Sequence, residues 1–178
     1  GYATDAVTGA LFDLLHFGDA SGIEDSSKNL RVLWARALLD DAGELEDKVA
    51  HNLLPKLTRD VAKWDALKPA ARFAEFVTSR TKFIDAAVDK FLAAVESSGA
   101  GKPHIVLLGA GFDTRAMRYA EKIRDIDGDI YELDLPHVCE GKSGLWDTWV
   151  DEHGSETYKK PAYIPYDLND AGDPDKAT

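Results

Sequence analysis

The sequence predicts an α/β protein: a helical N-terminal region followed by part of a doubly wound parallel sheet. Three observations predict it. Apolar residues recur at helical spacing through most of residues 1–100. After Gly99 the pattern changes to strand, helix, strand, helix, strand, the alternation that implies parallel strands joined by right-handed crossovers. At the start of that region, "HIVLLGAGFDTRAMR" (residues 104–118) ends an apolar run in two glycines one residue apart, then passes at once into a helix-forming stretch. The chain is therefore expected to divide into a helical region, 1–100, and a sheet region, 101–178.

In the helical region, Leu30, Leu33, Trp34, Ala37 and Leu38 make one amphipathic stripe behind the capping residues Ser26 and Ser27. Leu45, Val49 and Leu53 start another that stops at Pro55. The stretch Ala70 to Ser98 is the most periodic, with Phe73, Phe76, Val77, Ile84, Ala87, Val88, Phe91, Leu92 and Val95 on one expected face. Arg80 falls within that stripe and is expected to point inward. An inward guanidinium is unfavourable unless a carboxylate or an anionic ligand meets it. An internal Asp or Glu, a snorkelling conformation and a ligand all satisfy that requirement.

In the sheet region, Ile105, Val106, Leu107 and Leu108 suit a parallel strand covered on both faces, which has no solvent side to force alternation. Gly109 and Gly111 turn the chain, and Asp113 or Thr114 caps a helix expected over Thr114 to Arg124. The stretch "DIYELDLP" is the second strand, with Glu132 and Asp134 on one face and Tyr131, Leu133 and Leu135 on the other. A helix over Glu140 to His153, with Leu145, Trp146, Trp149 and Val150 inward, leads to a short strand at Ala162 to Tyr166.

A glycine pair in this position is the cofactor-facing corner of an open parallel sheet. The dinucleotide fingerprint asks for a third glycine, where this chain has Thr114. That residue disfavours a nicotinamide dehydrogenase, because the third glycine draws helix and strand together around a pyrophosphate. A ligand without phosphates, such as S-adenosylmethionine, does not require it. Asp134 lies 23 residues after Gly111, at the strand end where ribose hydroxyls are held in nucleotide-binding sheets.

Composition excludes several classes. Of 178 residues, 21 are Lys or Arg and 32 are Asp or Glu, and the net charge of −11 disfavours a nucleic-acid partner, which needs a basic face. A single cysteine, Cys139, allows no internal disulfide and reads as a small semi-buried side chain. No apolar run reaches the ~18 residues of a membrane span, so the chain is expected to be soluble and intracellular. Its compartment is the cytoplasm, or the plastid stroma or mitochondrial matrix if an upstream targeting segment was removed. His104 and His137 form no ligand spacing with another His or Cys, and no metal site is expected.

Four segments, "SRTKFIDAAV", "IVLLGAGFDTRAMR", "YELDLPHVCEGK" and "YIPYDLND", in this order and spacing, resemble the leucine carboxyl methyltransferase family of S-adenosylmethionine-dependent enzymes over residues 78–170. The resemblance implies a Rossmann-like methyltransferase sheet, of which the three strands here are the first half. It implies that Arg80 grips the carboxylate of the cofactor's methionine part and that Gly109 and Gly111 admit the cofactor to the backbone. Asp134 would hold the ribose hydroxyls, with Asp167 and Leu168 beside the adenine. Lys142 matches a family position without a ligand assigned to it. Within the glycine motif, Asp113 caps the helix, and Arg115 and Arg118 pair with acids such as Glu121.

The implied reaction transfers a methyl group to a carboxylate, on a small molecule or at a protein C-terminus. Such an acceptor is already ionised at neutral pH, so no catalytic base is assigned. The alternative is a non-catalytic, truncated methyltransferase-like subunit of a larger complex. In that reading a protein partner covers the open edge of the 105–108 strand.

Overall fold

The computed structural model describes residues 27–54, 71–99, 101–154 and 159–170. The expected cap Ser26 and the proline stop at Pro55 lie outside them. The chain divides into two units, Gly1–Ala93 and Ala94–Thr178. No described helix is long and apolar enough to cross a membrane.

The first unit contains helices α1 (Ser27–Asp41), α2 (Lys48–Leu53) and most of α3 (Ala71–Ser98). Helix α1 is buried from Leu33 through Ala37 and again at Leu39, while Leu38 is half-buried. Ala35 and Leu39 pack with Leu45 and with Val77 of α3, and Phe73 and Ala74 lie against that cluster. Each large apolar side chain so buried stabilises the fold by about 1.5–3 kcal/mol. The start of α2 is fixed by Asp47, whose Oδ1 accepts the Ala50 N–H at 3.2 Å. Its Oδ2 pairs with Arg36 Nε at 2.5 Å, and both side chains are buried. Leu54, the residue before Pro55, is extended (φ −71°, ψ 136°), as the steric demand of a following proline requires.

Helix α3 corrects one expectation. Its buried residues are Val77, Thr81 and Leu92, whereas Phe76, Phe83 and Phe91 are exposed. Arg80 lies on the exposed side with them. Val77 and Leu92 of the expected face are buried and Phe73, Ile84, Val88 and Val95 half-buried, so the inward face is centred nearer Val77 and Thr81 than Phe76 and Arg80.

The second unit contains β1 (His104–Leu108), α4 (Arg115–Arg118), α5 (Ala120–Asp125), β2 (Asp129–Asp134), α6 (Pro136–His153), β3 (Ala162–Pro165) and a 3-10 turn at Leu168–Asp170. The strands form one parallel sheet in the order β1-β2-β3, with His104 opposite Asp129 and Glu132 opposite Tyr163. Helix α6 packs on β2 and β3. Its Trp146 and Trp149 are buried with ring centroids 6.0 Å apart, and Leu145 and Val150 are half-buried.

Three details differ from the sequence reading. The helix expected from Thr114 to Arg124 is two short helices, because Tyr119 leaves helical geometry (φ −102°, ψ 2°) between them. Helix α6 begins at Pro136 rather than Glu140. A proline just after a strand looks like a turn, yet its fixed φ suits the first helical position. And β1 is not covered on both faces: Val106 is 54% and Leu108 66% exposed.

Candidate functional site

The carboxyl ends of the three strands bring the glycine loop, Asp134 and Asp167 to one edge of the sheet. Gly109 and Gly111 have positive φ, 61° and 48°, which only glycine adopts without strain. This bends the chain over the end of β2, where the Gly109 and Ala110 N–H groups donate to the Leu133 carbonyl at 2.8 and 3.2 Å. A Cβ added at Gly109 would meet nothing within 4 Å, so the loop faces open space and the requirement lies in the backbone.

Asp134 joins the loop to the strand. Its Oδ2 accepts the Gly111 N–H at 2.6 Å, and its Oδ1 accepts the Leu135 N–H at 2.7 Å. A carboxylate offers about four lone-pair positions, so the oxygens that organise the loop retain capacity for further donors. The Asp134 carbonyl accepts the Tyr166 N–H at 2.8 Å, which fastens the end of β3 beside it. Asp167 follows, its Oδ1 accepting from Asn169 N and Nδ2, each at 2.8 Å, and Leu168 is 48% exposed.

Behind this edge lies a charged cluster. Asp113 caps α4 by accepting the Arg115 N–H at 2.8 Å, and it pairs with the buried Arg115 guanidinium. Arg118 Nε donates to Thr114 Oγ1 at 3.0 Å. Glu132 and Lys142 are both buried, with Glu132 Oε2 and Lys142 Nζ 2.6 Å apart, off the angle of a well-formed hydrogen bond. Burial pushes the Glu132 carboxyl above its ordinary range; Lys142 opposes the shift, while Asp113 and Asp134 add to it. Burial also pushes up the Tyr163 phenol opposite, with the Glu132 charge adding to it, and burial raises the Cys139 thiol.

Arg80 belongs to the other unit of the chain. It is exposed on α3, its guanidinium carbon 5.4 Å from the centroid of the Phe76 ring. Among the described residues no carboxylate pairs with it. The structure thus brings together Gly109, Gly111, Asp134, Asp167 and Leu168 within one unit. Sequence reasoning missed the Glu132–Lys142 pair. The available signal was an acid in the middle of a buried strand, which demands a cation.

A parallel sheet with a glycine loop after β1 and an acid at the end of β2 defines a Rossmann-like cofactor-binding half-sheet. The sequence profile of the leucine carboxyl methyltransferase family matches residues 28–176, and the chain belongs to that family of S-adenosylmethionine-dependent methyltransferases. A relative from Mycolicibacterium paratuberculosis strain K-10 is 34% identical over 155 residues, covering 84% of this chain and 43% of the relative. One from Mycobacterium tuberculosis strain H37Rv is 33% identical over 105 residues, 58% of this chain and 29% of the relative. One from Mycobacterium avium strain 104 is 29% identical over 159 residues, 86% and 45%. All three carry the provisional name S-adenosyl-L-methionine-dependent methyltransferase. The chain spans less than half the length of these relatives.

Proposed function

We propose that the chain forms the S-adenosylmethionine-binding part of an O-methyltransferase whose acceptor is a carboxylate, on a small molecule or at a protein C-terminus. The observation that carries this reading is the Asp134 carboxylate, held across the glycine loop by the Gly111 N–H at 2.6 Å. The residues present fit the cofactor: Asp134 has acceptor capacity for the ribose hydroxyls, and Gly109 leaves the loop surface open. Asp167 and the exposed Leu168 supply a polar and an apolar neighbour for the adenine.

Arg80 binds the carboxylate of the methionine part in this reading. A guanidinium matches a carboxylate with two parallel charge-assisted hydrogen bonds. The cofactor, when bound, supplies an activated methyl group. An acceptor carboxylate is ionised at neutral pH, so the protein's task is to place donor and acceptor and exclude water.

Calorimetric titration of the chain with S-adenosylmethionine tests the reading. Micromolar binding is expected, weakened at least tenfold, about 1.4 kcal/mol, in both Asp134→Ala and Arg80→Ala. No heat with the unmodified chain, or unchanged affinity in Asp134→Ala, overturns it.

A further inference from the structure

We propose that the buried Glu132–Lys142 pair is a positioning device: it clamps the corner between β2 and α6 so that the Asp134 carboxylate stays aimed at the glycine loop. The inference takes from the preceding reading only what Asp134 binds; how Asp134 is held is a property of this chain alone.

Stability does not account for the pair. Glu132 and Lys142 are 1% and 2% exposed, and a buried ion pair is often replaced by apolar side chains of similar size without loss of stability, sometimes with a gain. Its place in the chain suggests what it does instead. Glu132 stands two residues before Asp134 on the same face of β2, and Lys142 lies in the second turn of α6. The salt bridge therefore closes a ring around the whole β2–α6 corner.

Within that ring the Leu135 carbonyl accepts the Val138 and Cys139 N–H groups at 3.0 Å each. The Cys139 thiol donates to the Asp134 carbonyl at 3.5 Å. The backbone and the carboxylate of Asp134 are thus held by one corner that the pair locks. Electrostatics points the same way, because Asp113 and Asp134 both act on Glu132 as like charges. Lys142 is the cation buried against Glu132, and without it burial and these like charges neutralise the Glu132 carboxyl, which opens the ring.

The Gly111 amide reports the aim of Asp134 without any cofactor. By NMR hydrogen exchange it is expected to be protected in the unmodified chain. In Lys142→Met its protection falls at least tenfold while the β1–β2 ladder amides stay protected, and the dissociation constant for S-adenosylmethionine rises at least tenfold. The double variant Glu132→Leu/Lys142→Met leaves no unpaired charge and regains thermal stability, yet the Gly111 amide stays unprotected and the affinity weak.

Full recovery of Gly111 protection in the double variant overturns the proposal, since the pair then only avoids an unpaired buried charge. If both variants unfold, the proposal also falls, because the pair then holds the fold rather than one side chain. Absence of cofactor binding by the unmodified chain sinks the methyltransferase reading but leaves the Gly111 readout to decide this one.

Discussion

Asp129, at the start of β2, lies between Lys159 Nζ at 2.5 Å and Lys102 Nζ at 2.9 Å, and these ammonium groups draw its carboxyl from the ordinary 3.8 down to about 2. The folded state therefore binds this proton less tightly than the unfolded chain does. The stabilisation is present above pH ~3.8 and is lost as pH falls through about 2. Asp129→Asn is expected to flatten the fall in urea midpoint between pH 5 and pH 2. Glu132 has the opposite sign: its raised pKa stabilises the fold below about 4.5, and that contribution is lost as pH rises through the folded value. At Gly109 (φ 61°) a Cβ meets no neighbour, so Gly109→Ala should cost about 1–2 kcal/mol of backbone strain alone, measurable as a urea-midpoint shift. Gly109, Gly111 and Asp134 were legible in the sequence because their chemistry is local: a tight turn, and an acid at a strand end. The partner of Glu132 was not legible, since it depends on how α6 lies against β2.

At the scale of elements, α3 shows where periodicity misleads. Its 28 residues carry apolar side chains on two adjoining faces, Phe76, Phe83 and Phe91 on one and Val77, Val88 and Leu92 on the other. The apolar spacing takes both sets together; the structure buries Val77 and Leu92 with Thr81, leaves Val88 half-buried and leaves Phe83 77% exposed. Val77→Ala should lower stability by about 1.5–2 kcal/mol, two methyl groups and a small cavity, whereas Phe83→Ser should stay within ~0.5 kcal/mol. Urea midpoints in the reverse order would restore the face that the phenylalanines mark. Strand positions and their parallel sense were readable because apolar runs bounded by turn residues have few alternatives. The split between α4 and α5 and the start of α6 were not, because each turns on one residue, Tyr119 or Pro136, whose backbone geometry the apolar spacing does not encode. The buried Arg36–Asp47 pair between α1 and the cap of α2 was equally hidden, and Asp47→Ala should destabilise by about 3–5 kcal/mol by taking the carboxylate from a buried guanidinium and the cap from α2.

For the whole molecule, the balance is between net charge and the open face of the sheet. On the α6 side, Ile130 and Glu132 are buried. The opposite side carries Val106, Leu108, Tyr131, Leu133 and Ile164, and there Val106, Leu108 and Ile164 are 54%, 66% and 39% exposed. Among the described residues β1 pairs only with β2, so its outer edge adds unpaired backbone groups to that apolar face. A net charge of −11 opposes self-association through this surface by mutual repulsion. Salt weakens the repulsion and leaves the apolar attraction: the Debye length falls from ~30 Å at 0.01 M to ~3 Å at 1 M. Light scattering by the chain should therefore rise with salt across that range, and Val106→Lys should suppress the rise while shifting stability by no more than ~0.5 kcal/mol. A lysine there that unfolds the chain would show instead that the face is covered in solution, because only a buried position makes an added ammonium so unfavourable.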